Sequence, residues 1–115
     1  MTPQVPVNLD IECAEAGRKL GEAIKDEKIL NDALAVLEEH GPYAMFLYIR
    51  ARQVTRDFEE PLVKLLSGTL KLNGNNGLDI AKSAADNLDT LLFVRDLLRN
   101  ALIYAQFHLK AMGGE

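Results

Sequence analysis

The side chains with the most chemistry to offer in this 115-residue sequence are its cations. Thirteen lysines and arginines stand against seventeen aspartates and glutamates, for a formal net charge of −4. On a helix, a basic residue with an acid three or four positions away belongs to a self-paired, solvated surface. Arg18 has Glu15 and Glu22, Lys19 has Glu15, Lys25 has Glu22, and Lys28 has Asp32. Lys64 has Glu60, Lys82 has Asp79 and Asp86, and Arg99 has Asp96. Arg50, Arg52, Lys71, Arg95 and Lys110 have no such partner, and Arg56 reaches Glu59 or Glu60 only if one helix carries them together. These six are the candidate contacts for an external anion, and phosphate oxygens are what exposed arginines and lysines hold in nucleic-acid complexes. The competing expectation is that they pair within the chain, with acids of the first two helices.

The distribution of charge matters more than its sum. Residues 1–40 carry a net −5, residues 41–72 a net +2 and residues 73–115 a net −1. Within the positive segment, residues 43–56 hold three arginines and no acid. The overall acidity argues against a strong autonomous nucleic-acid binder. It leaves room for a local basic stripe.

Other chemistries lack their residues. The single cysteine, Cys13, cannot form an internal disulfide and has no histidine nearby in sequence to activate a thiolate, so it reads as a small buried hydrophobe. His40 falls at a helix end and His108 on a helix flank, and no Glu-x-x-His pair places two metal ligands on one face. The glycine-rich stretch 73–77 lacks the Lys and Ser/Thr of a phosphate-binding loop and reads as a connector. No catalysis, metal or cofactor is expected. The longest charge-free apolar stretches, 41–49 and 100–109, fall short of the ~20 residues a membrane span needs. No basic or apolar leader opens the chain, so a cytoplasmic protein without membrane contact is expected.

The elements that must position the cations are helices. Nineteen leucines and thirteen alanines dominate the apolar residues, and tryptophan is absent. That composition favours helix over sheet. After an extended tail over residues 1–8, Asn8 can cap a helix to residue 24 with the stripe Leu9, Cys13, Ala16, Leu20 and Ile24. Gly17 and Gly21 lie beside that stripe and permit another helix to approach closely. A second helix over 27–40 ends at Gly41-Pro42. A third, 43–55, is apolar on every side over its first seven residues, which predicts burial in the domain or against another subunit. At 100° per residue, Arg52 and Arg56 would share a face while Arg50 points about 160° from Arg52. A fourth helix is expected from Asp57, which with Glu60 would form a capping box and leave Pro61 in the first turn. A short helix over 78–85 and a final one over 87–112 complete the chain. In the last, Leu88, Leu91, Leu98, Leu102, Ala105, Leu109 and Met112 form one seam. The expected architecture is a single all-α domain, a compact bundle of five to six helices with a long C-terminal helix.

Two stretches, LNDALAVLEEHGPYAMFLYIRARQ (30–53) and DNLDTLLFVRDLLRNALIYAQFHLKAM (86–112), carry a resemblance. In order and pattern, the chain resembles the small subunit of type III CRISPR RNA-guided effector complexes, especially the Cmr type. The resemblance implies a non-catalytic helical subunit of an antiviral ribonucleoprotein. Such a subunit stacks in several copies beside other subunits of the effector complex and helps hold the target RNA strand through phosphate contacts. By position, Arg50 and Arg52 match the basic end of the family's third helix and Arg95 the basic part of its last. On its own such a chain would bind guide or target RNA weakly, gaining from avidity in an array. The alternative is an all-helical homo-oligomeric adaptor that binds protein through its third and last helices, without nucleic acid.

Overall fold

A computed structural model describes residues 7–69 and 76–113. These form six helices, with no strand among the described residues: α1 (Val7–Ile24), α2 (Glu27–His40), α3 (Pro42–Ala51), α4 (Thr55–Thr69), α5 (Gly77–Ala84) and α6 (Leu88–Gly113). The expected all-α bundle with a long last helix is what the chain adopts.

Helix α6 is the spine and touches each of the other five. Its middle buries Val94, Leu97, Leu98, Ala101, Leu102 and Ala105, while the ends of the expected seam, Leu88 and Met112, stay exposed. Asn87 caps it by accepting a hydrogen bond from the Thr90 N–H at 3.1 Å. Helix α1 lies along α6 in the same direction. The Cys13 thiol faces the Leu97 carbonyl at 3.8 Å, Gly17 sits against Ala101 and Tyr104, and Gly21 sits against Ala105. A β-carbon at Gly17 would lie 2.6 Å from the Ala101 carbonyl oxygen, so the absence of a side chain there sets how near the helices come. Helix α2 packs on α6 in the opposite direction, with Glu38 meeting Arg99 and Asn31 meeting Gln106.

Capping explains most boundaries. Asp26 accepts from the Lys28 and Ile29 N–H groups at 3.0 and 3.4 Å and starts α2. Gly41, at φ 94°, ends α2 by donating its N–H to the Leu37 carbonyl at 2.9 Å, and Pro42 starts α3. Four differences from the expected bounds bear on the packing and the site. Helix α1 begins at Val7, so Asn8, expected in a tail that runs to residue 8, already lies in the first turn with Asp10. The remainder of that tail, residues 1–6, lies outside the described residues, as do residues 73–75 of the expected connector. Gly77 belongs to α5, under the Phe46 ring.

The third and fourth differences share a cause. Helix α3 stops at Ala51 because Gln53 adopts φ 62° and closes a Schellman motif. The Val54 N–H donates to the Ile49 carbonyl at 3.2 Å and the Gln53 N–H to the Arg50 carbonyl at 3.1 Å. The Val54 carbonyl then accepts from the Phe58 N–H at 3.2 Å, so the same residue that finishes α3 starts α4. Helix α4 therefore begins at Thr55, ahead of the expected Asp57, and Pro61 stands inside the helix instead of in its first turn. Lacking an N–H, Pro61 leaves the Asp57 carbonyl without its helical donor.

Candidate nucleic-acid interface

Three of the six candidate cations gather at the α3–α4 junction. Arg50 closes the last turn of α3, Arg52 is its C-cap and Arg56 is in the first turn of α4, all exposed. Arg95 is half-buried in the first half of α6, and Lys110 is exposed in its last turn. Lys71 lies outside the described residues. Among the described residues, none of the five placed cations forms an ion pair, although salt bridges do join Arg18 to Glu22, Lys28 to Asp32 and Arg99 to Glu38.

The junction does not present its arginines as one row. The Schellman break ends the continuous helix on which Arg52 and Arg56 were expected to share a face. Arg52 falls on the α2 side of α3, where the Lys28 ammonium meets Asp32 Oδ2 at 2.8 Å and the Tyr48 hydroxyl donates to the same oxygen at 3.3 Å. The hydrogen bond from Lys28 holds the Asp32 carboxyl below its usual range, and the charge of Arg52 adds to that effect. Tyr48 is pushed up, first by burial and then by Asp32. Arg52 thus has an acid of α2 in its electrostatic neighbourhood, as the intrachain expectation had it, but no direct bond to it. Arg56 faces a shallow cleft of about 390 Å³ shared with Glu59, Glu60 and Val63. The helix boundary therefore does allow it local acids.

Arg95 lines a polar cleft of about 280 Å³ with Glu38, Asp96 and Arg99, two charges of each sign. The pairing there differs from expectation. Arg99 Nε reaches Glu38 of α2 at 3.3 Å, in place of the expected Asp96, because α2 and α6 run antiparallel in register at that level. A balanced cleft attracts an anion weakly. Arg50 is the contrast. Helix α3 carries no acid at all, and Arg50 shares its outward face with Tyr43 and Leu47.

The burial expected on every side of α3 holds over only part of its surface within this domain. Helix α3 buries Met45, Phe46 and Ile49 but leaves Tyr43 43% and Leu47 45% exposed. Their spacing from Arg50, seven and three residues, was the available signal. Elsewhere, Cys13 is fully buried, and burial together with the neighbouring Asp10 and Glu12 charges pushes its thiol up to about 11. No group of three or more His, Cys, Asp or Glu side chains among the described residues is arranged to hold a metal. No helix among them is long and apolar enough to cross a membrane. No family model, no curated protein and no solved structure matches this chain.

Proposed function

We propose that the chain is a non-catalytic small subunit of a CRISPR RNA-guided effector complex, present in several copies and helping to hold the target RNA strand through phosphate contacts. The observation that carries the reading is the cluster of Arg50, Arg52 and Arg56 at the α3–α4 junction, exposed and without ion pairs among the described residues. Phosphate contacts of this kind position a strand without reading its bases. Three of them on an acidic subunit bind weakly alone and add up when copies are held in an array. Arg50 and Arg52 are the principal contacts, and Arg95 is secondary because Glu38 and Asp96 offset it.

The test is expression with the operon neighbours. The expected product is a particle with more than one copy of this chain and an absorbance ratio that reports nucleic acid. A stoichiometric, RNA-free complex overturns the reading. Arg50→Gln combined with Arg52→Gln is expected to lower retention of the target strand, most strongly at low salt and with a shallower salt dependence, with helicity intact. A second reading, a homo-oligomeric adaptor, is favoured by the exposed Leu88 and Leu92, one turn apart at the start of α6. It predicts an oligomer insensitive to salt and to RNA.

A further inference from the structure

We infer that Tyr43 is a stacking platform for a base of single-stranded RNA, with Leu47 flanking it and Arg50 holding an adjoining phosphate. The inference rests on the RNA-strand reading above and names how one face of α3 would engage that strand. Tyr43, Leu47 and Arg50 lie within about 60° of one another around the helix and span about 10.5 Å along it. Along this face Arg50 stands about one turn beyond Leu47, which stands about one turn beyond Tyr43.

Three observations support this stripe. Of the three tyrosines, Tyr48 and Tyr104 are each anchored to a carboxylate, of Asp32 and Asp10 respectively. Among the described residues, Tyr43 has no such bond, and the residue is 43% exposed. No acid lies on α3 to repel a polyanion or to neutralise Arg50. The apolar part of the stripe consists of two half-exposed side chains ending on a bare cation. That is small beside the roughly 800 Å² per partner of a stable protein interface, whose core is depleted of charge. An aromatic face followed by arginine is instead the combination that binds single strands without sequence preference.

The experiment measures binding of a short fluorescein-labelled oligouridylate to the full chain by anisotropy, from low salt upward, with helicity and melting checked for each variant. Tyr43→Ala is expected to weaken binding roughly 5- to 150-fold with the salt slope unchanged, because it removes stacking and no phosphate contact. Tyr43→Phe is expected to bind like wild type. Arg50→Gln is expected to reduce the slope by about 0.7, one phosphate on a single strand. If wild type binds the oligonucleotide and Tyr43→Ala binds equally well, the platform is overturned while the RNA-strand reading stands. If wild type fails to bind at any salt, both fall. If sedimentation shows that Tyr43→Ala or Leu47→Ser dissociates an oligomer with RNA affinity untouched, the stripe is a protein interface and the inference is overturned.

Discussion

Replacing Gly17 with alanine sets two effects of known size against each other at a close contact between α1 and α6. The new methyl would sit 2.6 Å from the Ala101 carbonyl oxygen, 2.6 Å from Tyr104 Cβ and 2.9 Å from the Ala105 nitrogen. Unstrained carbon contacts lie near ~3.5–4.0 Å, so α1 and α6 must part by about 1 Å at that level. Two of the three atoms are backbone, and no rotamer change moves them aside. Overpacking of this kind costs about 1–3 kcal/mol, and the fixed backbone places Gly17→Ala near the upper end. Against it stands a gain of about 0.8–1.0 kcal/mol in helix propensity. The expected net loss is about 2 kcal/mol. At about 4–8 °C per kcal/mol for a small domain, the midpoint falls by roughly 8–16 °C.

Gly21 provides the control within the same contact. Its β-carbon would lie 3.0 Å from the Ala105 oxygen, with the next atoms at 3.7 Å, so a shift of a few tenths of an ångström suffices. Propensity then offsets strain, and Gly21→Ala is expected within about 0.5 kcal/mol of wild type. Urea and thermal unfolding followed by far-UV circular dichroism measure both variants. If Gly17→Ala proves as stable as Gly21→Ala or wild type, α1 does not lie as close to α6 as these distances require.

Two further outcomes follow from single positions. Gln53 occupies the left-handed site of the Schellman motif at φ 62°, where a side chain costs about 1–2 kcal/mol that glycine avoids. Part of that is returned as unfolded-state entropy, so Gln53→Gly is expected to stabilise by about 0.5–1 kcal/mol in urea unfolding. A loss of stability would mean the Gln53 side chain makes a contact worth more than the strain. Cys13 gives a pH dependence of definite sign. Its thiol is held up to about 11 in the fold against an ordinary value near 9, so the native state keeps a proton that the unfolded chain releases. Its contribution is intact below pH 9 and is lost as pH rises toward 11. Cys13→Ala should show a flatter decline over that window, and parallel curves would remove the assignment.

What could be read along the chain and what could not divides by the range of the interaction that decides it. The bounds of α2 were legible to the residue because Gly41-Pro42 terminates it by local backbone chemistry. The pairs Arg18–Glu22 and Lys28–Asp32 were legible because helical spacing alone brings them together. Arg99–Glu38 was not, because it depends on the register of α2 against α6, which side chains far apart in sequence set. The exposure of Tyr43 and Leu47 was hidden for another reason. Seven consecutive apolar residues have no polar side to mark the outside, so only packing decides that Met45, Phe46 and Ile49 turn inward.

The end of α3 matters most for the candidate site. Nothing in the Arg-Gln-Val triplet at 52–54 carries a glycine or proline stop signal, and the helix extrapolates smoothly to Thr55. The stop comes from Val54, half-buried against the core, whose N–H returns to Ile49 while its carbonyl begins α4. That one break rearranges the cations. It cancels the shared face of Arg52 and Arg56 and gives Arg56 neighbouring acids on its own helix. Arg52 remains beside Asp32, and Arg50 stays with Tyr43 on an acid-free outer face. Charge counting along the chain weights these arginines equally. The fold distinguishes them, and Arg50 is the one with no acid on its own helix or named beside it.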